Sequence, residues 1–245
     1  MKKNFLIIIL FMNALTGNVS AQKTDTYKTS QGDLTIHFLG HGSLLFEFSK
    51  MNIYVDPFSK VADYSTLPKA NLILVTHSHY DHFDMDAISK IKGNVTQMIY
   101  TQDCANSGKY SGPAIVMKNG DKKVVEGIMI EAVPAYNIEH KRPDGNPFHP
   151  KGEGNGYILT FGGKTVYVAG DTENVPEMKN LGHIDIAFLP VNLPYTMTPE
   201  QAADAAKMVH TAVFYPYHTG ETDLTKLTDL MKGTKDIEVK VREMK

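Results

Sequence analysis

The segment Thr76-His77-Ser78-His79-Tyr80-Asp81-His82 constrains this chain more than any other feature, because three histidines and an aspartate fall within six residues. It continues from residues 72–76, a mostly apolar run with strand character. A strand that ends in a tight turn fans such side chains around a common point. Alternate residues of an extended segment share a side, so His77 and His79 project together. Asp81 and His82, past the turn, reach a second position. Neutral imidazole and carboxylate are the ligands that Zn2+ and similar ions take when thiolate is absent. The chain has one cysteine, Cys104, which excludes a disulfide framework or a multi-cysteine metal site within one chain. Cys104 lies away from the histidines and reads as structural.

Two distant segments echo the pattern. Gly170-Asp171-Thr172 follows a strand expected over residues 165–169, and His218 ends one expected over 212–217. Each places a metal-capable side chain at a strand end, where a rigid scaffold positions a functional loop. Around them, strands are expected at residues 34–39, 43–48, 52–55, 124–133, 157–161, 184–191 and 237–241. Gly162-Gly163-Lys164 reads as a hairpin turn. A helix over residues 84–91 is expected to stop at Gly93 in the left-handed conformation. Thr198-Pro199-Glu200-Gln201 combines an N-cap, proline at the first helical position and a capping-box glutamine, opening a helix to about His210. The second half repeats the plan of the first. That repetition predicts an α/β fold in which two sheets pack face to face with helices outside.

With these motifs the chain resembles the metallo-β-lactamase superfamily: His-x-His-x-Asp-His at 77–82, Gly-Asp-Thr at 170–172 and the late His218. It is most similar to the branch of small single-domain hydrolases that includes the L-ascorbate-6-phosphate lactonases. Four segments carry that closer likeness: Gly40-His41-Gly42-Ser43, Val55-Asp56-Pro57-Phe58, Gly162-Gly163-Lys164-Thr165 and Thr196-Met197-Thr198-Pro199. N-acyl-phosphatidylethanolamine phospholipase D is a more distant likeness. The resemblance implies a four-layer αβ/βα sandwich formed by one domain over residues 22–245. It implies that His77 and His79 bind a first metal, that Asp81, His82 and His218 bind a second, and that Asp171 bridges both. Asp81 and Asp171 are then the catalytic residues. The implied cofactor is Zn2+, two per chain, with Mn2+ or another divalent ion as the alternative, and the nucleophile is a metal-bound hydroxide.

The family supplies a third histidine to the first metal, and here that slot holds Asn137. The same loop offers His140 and His149. We take His149 first, because Phe148-His149-Pro150-Lys151-Gly152 is a constrained stretch, whereas His140 stands among Glu139, Lys141 and Arg142 and reads as solvated. Asn137, or a first site with only the ligands already named, stays open. Asp56 reads equally as a turn residue or as a partner orienting a ligating histidine. His41, Tyr136, Tyr195 and Tyr217 are candidate pocket walls, and Lys151 a candidate contact for an anionic substrate. His37, His183 and His210 carry no expected chemistry.

Residues 1–21 read as a signal peptide: Lys2 and Lys3 precede an apolar run from Phe5 to Met12, and Val19-Ser20-Ala21 suits cleavage. The run is far shorter than the roughly 20 residues that span a bilayer. We therefore expect an exported protein, periplasmic or secreted, with no stable membrane insertion. A net charge of -2 argues against nucleic-acid binding. The expected partner is a small-molecule substrate, and the resemblance leaves room for a homo-oligomer. The leading function is a metal-dependent hydrolase of an ester, lactone or phosphodiester bond. The alternatives are an exported β-lactamase and a non-catalytic metal-binding protein on the same fold.

Overall fold

Strands that are apolar on both faces must be covered on both, and this chain builds two sheets whose central strands are of that kind. The computed structural model describes residues 24–244, so the expected signal peptide lies outside the described residues. The first sheet has seven strands in sequence order: β1 (Thr24–Thr29), β2 (Gly32–Gly40), β3 (Ser43–Phe48), β4 (Met51–Val55), β5 (Leu72–Leu74), β6 (Gln97–Tyr100) and β7 (Ile115–Val116). The second also has seven: β8 (Lys122–Val125), β9 (Ile128–Ala135), β10 (Gly154–Phe161), β11 (Lys164–Val168), β12 (Ile186–Pro190), β13 (Val213–Tyr217) and β14 (Glu238–Val239). In the first sheet the strands pair antiparallel as far as β4 and parallel beyond it. In the second, the change from antiparallel to parallel comes at β11. The expected repetition of plan between the halves is thus explicit in the topology.

Period-two alternation assigns the layers. In β12, Ile186 and Phe188 face the other sheet, while Ala187 and Leu189 face outward. The outward residues pack under helix α3 (Pro199–Val209), and the outer face of the first sheet is covered by α1 (Met85–Ile91) and α2 (Gln102–Asn106). The layers therefore run helix, sheet, sheet, helix. Helix α3 begins as its sequence requires: Thr198 and Gln201 form a reciprocal capping box with Pro199 at the first position. Its end is a left-handed His210, with φ of 51°.

The structure differs from expectation in several details, including strands β6 and β7 and helix α2, which the expectations lack. Residues 124–133 are two strands, because Glu126 and Gly127 both take positive φ and turn the chain back, pairing Val125 with Ile128. The apolar alternation runs through that turn and hides it. Helix α1 ends at Lys92 in extended conformation, so Gly93 is not a left-handed stop. Strand β1 is absent from the expectations, since its alternately exposed TDTYKT sequence has no apolar run. The Gly162-Gly163 hairpin is as expected, with φ of 52° and 84° and Phe161 opposite Lys164.

A clasp ties the first strand to the last segment: Arg242 Nη2 donates to both oxygens of Asp25, and Tyr215 also donates to that carboxylate. Gly156 marks the tightest packing in β10. A Cβ there would lie 2.8 Å from Ala169 O and 3.0 Å from a Tyr167 ring carbon. We expect Gly156→Ala to lower unfolding free energy by about 1–3 kcal/mol, read from urea denaturation. An unchanged midpoint would mean that β11 yields freely.

Candidate metal centre

Because β2, β4 and β5 run the same way, and β9, β11 and β13 do likewise, their C-terminal ends meet at one edge of the sandwich. His41 follows β2, Asp56 follows β4 and the His77–His82 segment follows β5. Asp171 follows β11, His218 follows β13, and His149 lies on the long loop between β9 and β10. Gly170 makes the Asp171 turn feasible. Its φ is +67°, a Cβ would sit 2.9 Å from Asn155 O, and its N–H donates to Tyr217 Oη at 2.9 Å.

The side chains converge in two adjoining groups. His77, His79 and His149 form one; Asp81, His82 and His218 form the other, joined by His41. Asp171 stands between them and turns one oxygen to each. Its Oδ2 lies 3.3 Å from His149 Nε2 and 4.0 Å from His77 Nε2. Its Oδ1 lies 3.5 Å from His82 Nε2 and 3.6 Å from His218 Nε2. All seven residues singled out in the sequence are therefore brought together.

Outer hydrogen bonds fix which ring nitrogen faces inward. His82 Nδ1 donates to Asp56 Oδ2 at 2.8 Å. Thr76 Oγ1 donates to the same carboxylate at 2.6 Å, which leaves it to accept from His77 Nδ1 at 3.0 Å. His149 Nδ1 donates to Asn137 Oδ1 at 2.7 Å. Asp56 thus orients two imidazoles through one buried carboxylate and is more than a turn residue. Asn137 is occupied as an orienting partner: its Oδ1 also accepts from His149 N, and its Nδ2 donates to Glu173 and to Tyr195 O.

With one ring nitrogen each of His77, His82 and His149 engaged outward, the other ring nitrogens turn inward, toward those of His79 and His218. His77 Nε2 is 3.0 Å from His79 Nδ1, and His82 Nε2 is 3.1 Å from His218 Nε2. Asp171 Oδ1 is buried without a hydrogen-bond partner. Such spacing suits donors about 2.1 Å from a shared ion, so the residues present fit a divalent cation.

Electrostatics agree. Burial pushes His77 well below the ordinary imidazole value and lowers His79, and with neighbouring His82 it takes His218 down to about 4. Burial also opposes charge on His82, but Asp171 and Asp56 outweigh it and lift that ring to about 9. Desolvation would raise Asp171, yet His218 and His82 hold it well below the usual carboxylate range. Asp81 resists burial in the same way through its 2.9 Å bond to His41 Nε2, and falls to about 2. Ionised carboxylates beside mostly neutral imidazoles are the protonation state that ion binding requires.

The loop that presents His149 depends on a residue the sequence reading missed. Glu173 is fully buried, and its carboxylate accepts from the backbone N–H groups of Ile138, Glu139 and His140 at 2.9, 2.8 and 2.7 Å. His140 is accordingly half-buried rather than free in solvent, and its Nδ1 lies 3.0 Å from Glu173. Tyr136 and Tyr217 are buried outside the cavities, and Lys151 is spent on Glu177 and Tyr136. Cys104 is buried in α2, where desolvation raises its thiol to about 11. Two adjoining cavities, about 390 and 410 Å3, open over the cluster and share His79, Arg142, Phe148, His149 and Asp171. Tyr195 and Tyr80 line the second.

A family model described as "Beta-lactamase superfamily domain" matches residues 35–218. A UPF0173 metal-dependent hydrolase from Pyrococcus abyssi is 35% identical over 195 residues, covering 75% of this chain and 83% of its own. One from Thermus thermophilus is 34% identical over 191 residues, covering 75% and 82%. A crystal structure of a metal-dependent hydrolase from Parabacteroides distasonis superimposes with a TM-score of 0.85 at 47% identity, over 91% of this chain and 99% of that one. A metallo hydrolase from Ignicoccus hospitalis shares the fold, with a TM-score of 0.70 at 24% identity over 86% and 95%.

Proposed function

Given that the chain belongs to the beta-lactamase superfamily domain family and is a metal-dependent hydrolase of that fold, we propose that it cleaves an ester, lactone or phosphodiester bond of a small substrate over two divalent ions. The observation that carries this reading is Asp171, buried between two histidine groups with one oxygen directed at each. His77, His79 and His149 would hold one ion; Asp81, His82 and His218, with His41 beside them, would hold the other. Bound there, the ions supply an acidified water and Lewis acidity at the scissile carbonyl or phosphoryl oxygen. Nitrogen donors with few carboxylates suit Zn2+ in the first group, while the carboxylate share of the second also suits Mn2+.

The chain's own residues set the geometry. Asp56, Thr76 and Asn137 fix imidazole tautomers, so that no ring has to reorient when substrate arrives. The two cavities suit a small molecule lying across the cluster. We propose further that residues 1–21 direct export, which puts the working protein in the periplasm or outside the cell.

Metal content per chain tests the reading, measured on protein purified without chelator beside His149→Ala. About two ions are expected, falling to about one in the variant with loss of ester or phosphodiester turnover. One ion in both proteins would sink the two-ion reading. Two ions with unaltered turnover in the variant would remove His149 from the site.

A further inference from the structure

Arg142 stands on the rim of both cavities with most of its donors unspent. It belongs to a small hairpin in the His149 loop. Arg142 N donates to Asn146 O at 2.7 Å, Gly145 N donates to Arg142 O at 2.9 Å, and Lys141 pairs with Pro147. The side chain is steered by its own hairpin: Nη2 donates to Phe148 O at 3.1 Å, and the guanidinium lies 5.3 Å from the Phe148 ring centre. The same nitrogen is 3.5 Å from His79 Nε2, which puts the cation at the edge of the cluster. Among the described residues no carboxylate comes within 4.0 Å of it. The other cations nearby are occupied, Lys151 by Glu177 and Lys109 by Ser78 O.

We propose that Arg142 anchors an anionic group of the substrate, a carboxylate or phosphoryl group carried close to the scissile bond. A guanidinium presents a planar fork of N–H donors that matches either group. The two cavities are unequal hosts for it. Asp103, Asp144 and Glu153 line the first, away from the proposed ions, and repel an anion; the carboxylates of the second, Asp81 and Asp171, are ones that would hold the ions, and Tyr80 and Tyr195 line it beside the cluster. The anion therefore sits on the second side, with the body of the substrate against Tyr80, Phe148 and Tyr195. The proposal rests on the hydrolase reading for the bond that is cut, but not for the binding of the anion.

The test compares p-nitrophenyl acetate with mono-p-nitrophenyl glutarate on the metal-loaded protein, together with calorimetric titration of glutarate and of inorganic phosphate. The wild type is expected to prefer the anionic ester by about 10-fold or more in kcat/KM. In Arg142→Gln that ratio should collapse, mainly through KM, with metal content unchanged; Arg142→Lys should recover part of it. A ratio unmoved by Arg142→Gln overturns the proposal, as does a collapse that merely follows loss of metal. If the wild type cleaves neither ester, the ester member of the bond assignment fails on its own and the titrations decide the anchor. Glutarate or phosphate binding weakened about 10-fold or more in Arg142→Gln supports the anchor, and equal binding overturns it. The anion that binds tells carboxylate from phosphoryl substrates.

Discussion

Asp171→Ala is expected to cut kcat/KM on the order of a thousandfold, about 4 kcal/mol of transition-state stabilisation, while the fold survives. Among the described residues the side chain is the one carboxylate that reaches both histidine groups, with Oδ2 toward His149 and His77 and Oδ1 toward His82 and His218. Its removal would take a shared ligand from each proposed ion position and a carboxylate from a buried set of imidazoles. Metal analysis should show ion content falling with activity, and far-ultraviolet circular dichroism should be unchanged. Asp171→Asn keeps the shape without the charge and should lose nearly as much. Full activity in Asp171→Ala would dismantle the proposed site.

Glu173→Ala is expected to destabilise the protein by about 3 kcal/mol and to deplete the first ion position. The carboxylate is a single hub for the His149 loop, satisfying three successive backbone N–H groups and the Asn137 amide. Alanine takes the partner from those part-buried donors and from the buried Asn137 amide. Asn137 is also the residue that aims His149, through both His149 N and Nδ1. Loss of Glu173 should therefore be felt at a ligand that it never touches. Urea denaturation measures the first effect and metal titration the second. Normal metal affinity in a destabilised variant would separate loop anchoring from the site.

The parts of this centre that were legible in the sequence share a property: their meaning is local. His77 to His82 read as ligands because they are contiguous, and Asp171 and His218 because each stands at the end of an apolar run. His149 was found through its constrained neighbours. What escaped depends on partners far apart in the chain. Glu173 meets the loop amides from more than thirty positions downstream, and His41, legible as a pocket wall from its glycine-flanked motif, meets Asp81 forty positions away. Glu173 has no composition cue of its own, since a glutamate after a turn is an ordinary surface pattern. The fold shows the same division. Capping at Thr198 and the Gly162-Gly163 turn are written in adjacent residues. The break between β8 and β9 is not, because Glu126 takes a backbone conformation that glutamate seldom adopts.

The two sheets each pair their strands in chain order, so each half assembles from sequence neighbours. The candidate ligands do not respect that division: His77, His79, Asp81 and His82 come from the first half, and His149, Asp171 and His218 from the second. An ion held between them is a crosslink that no covalent chemistry provides. By mass action, a ligand at a hundred times its dissociation constant adds about 2.7 kcal/mol to whatever state binds it, and here that state is the one with both halves docked. Stripping the ions should then loosen the junction of the sheets before it loosens either sheet. Two separately made halves should find each other most tightly when metal is present.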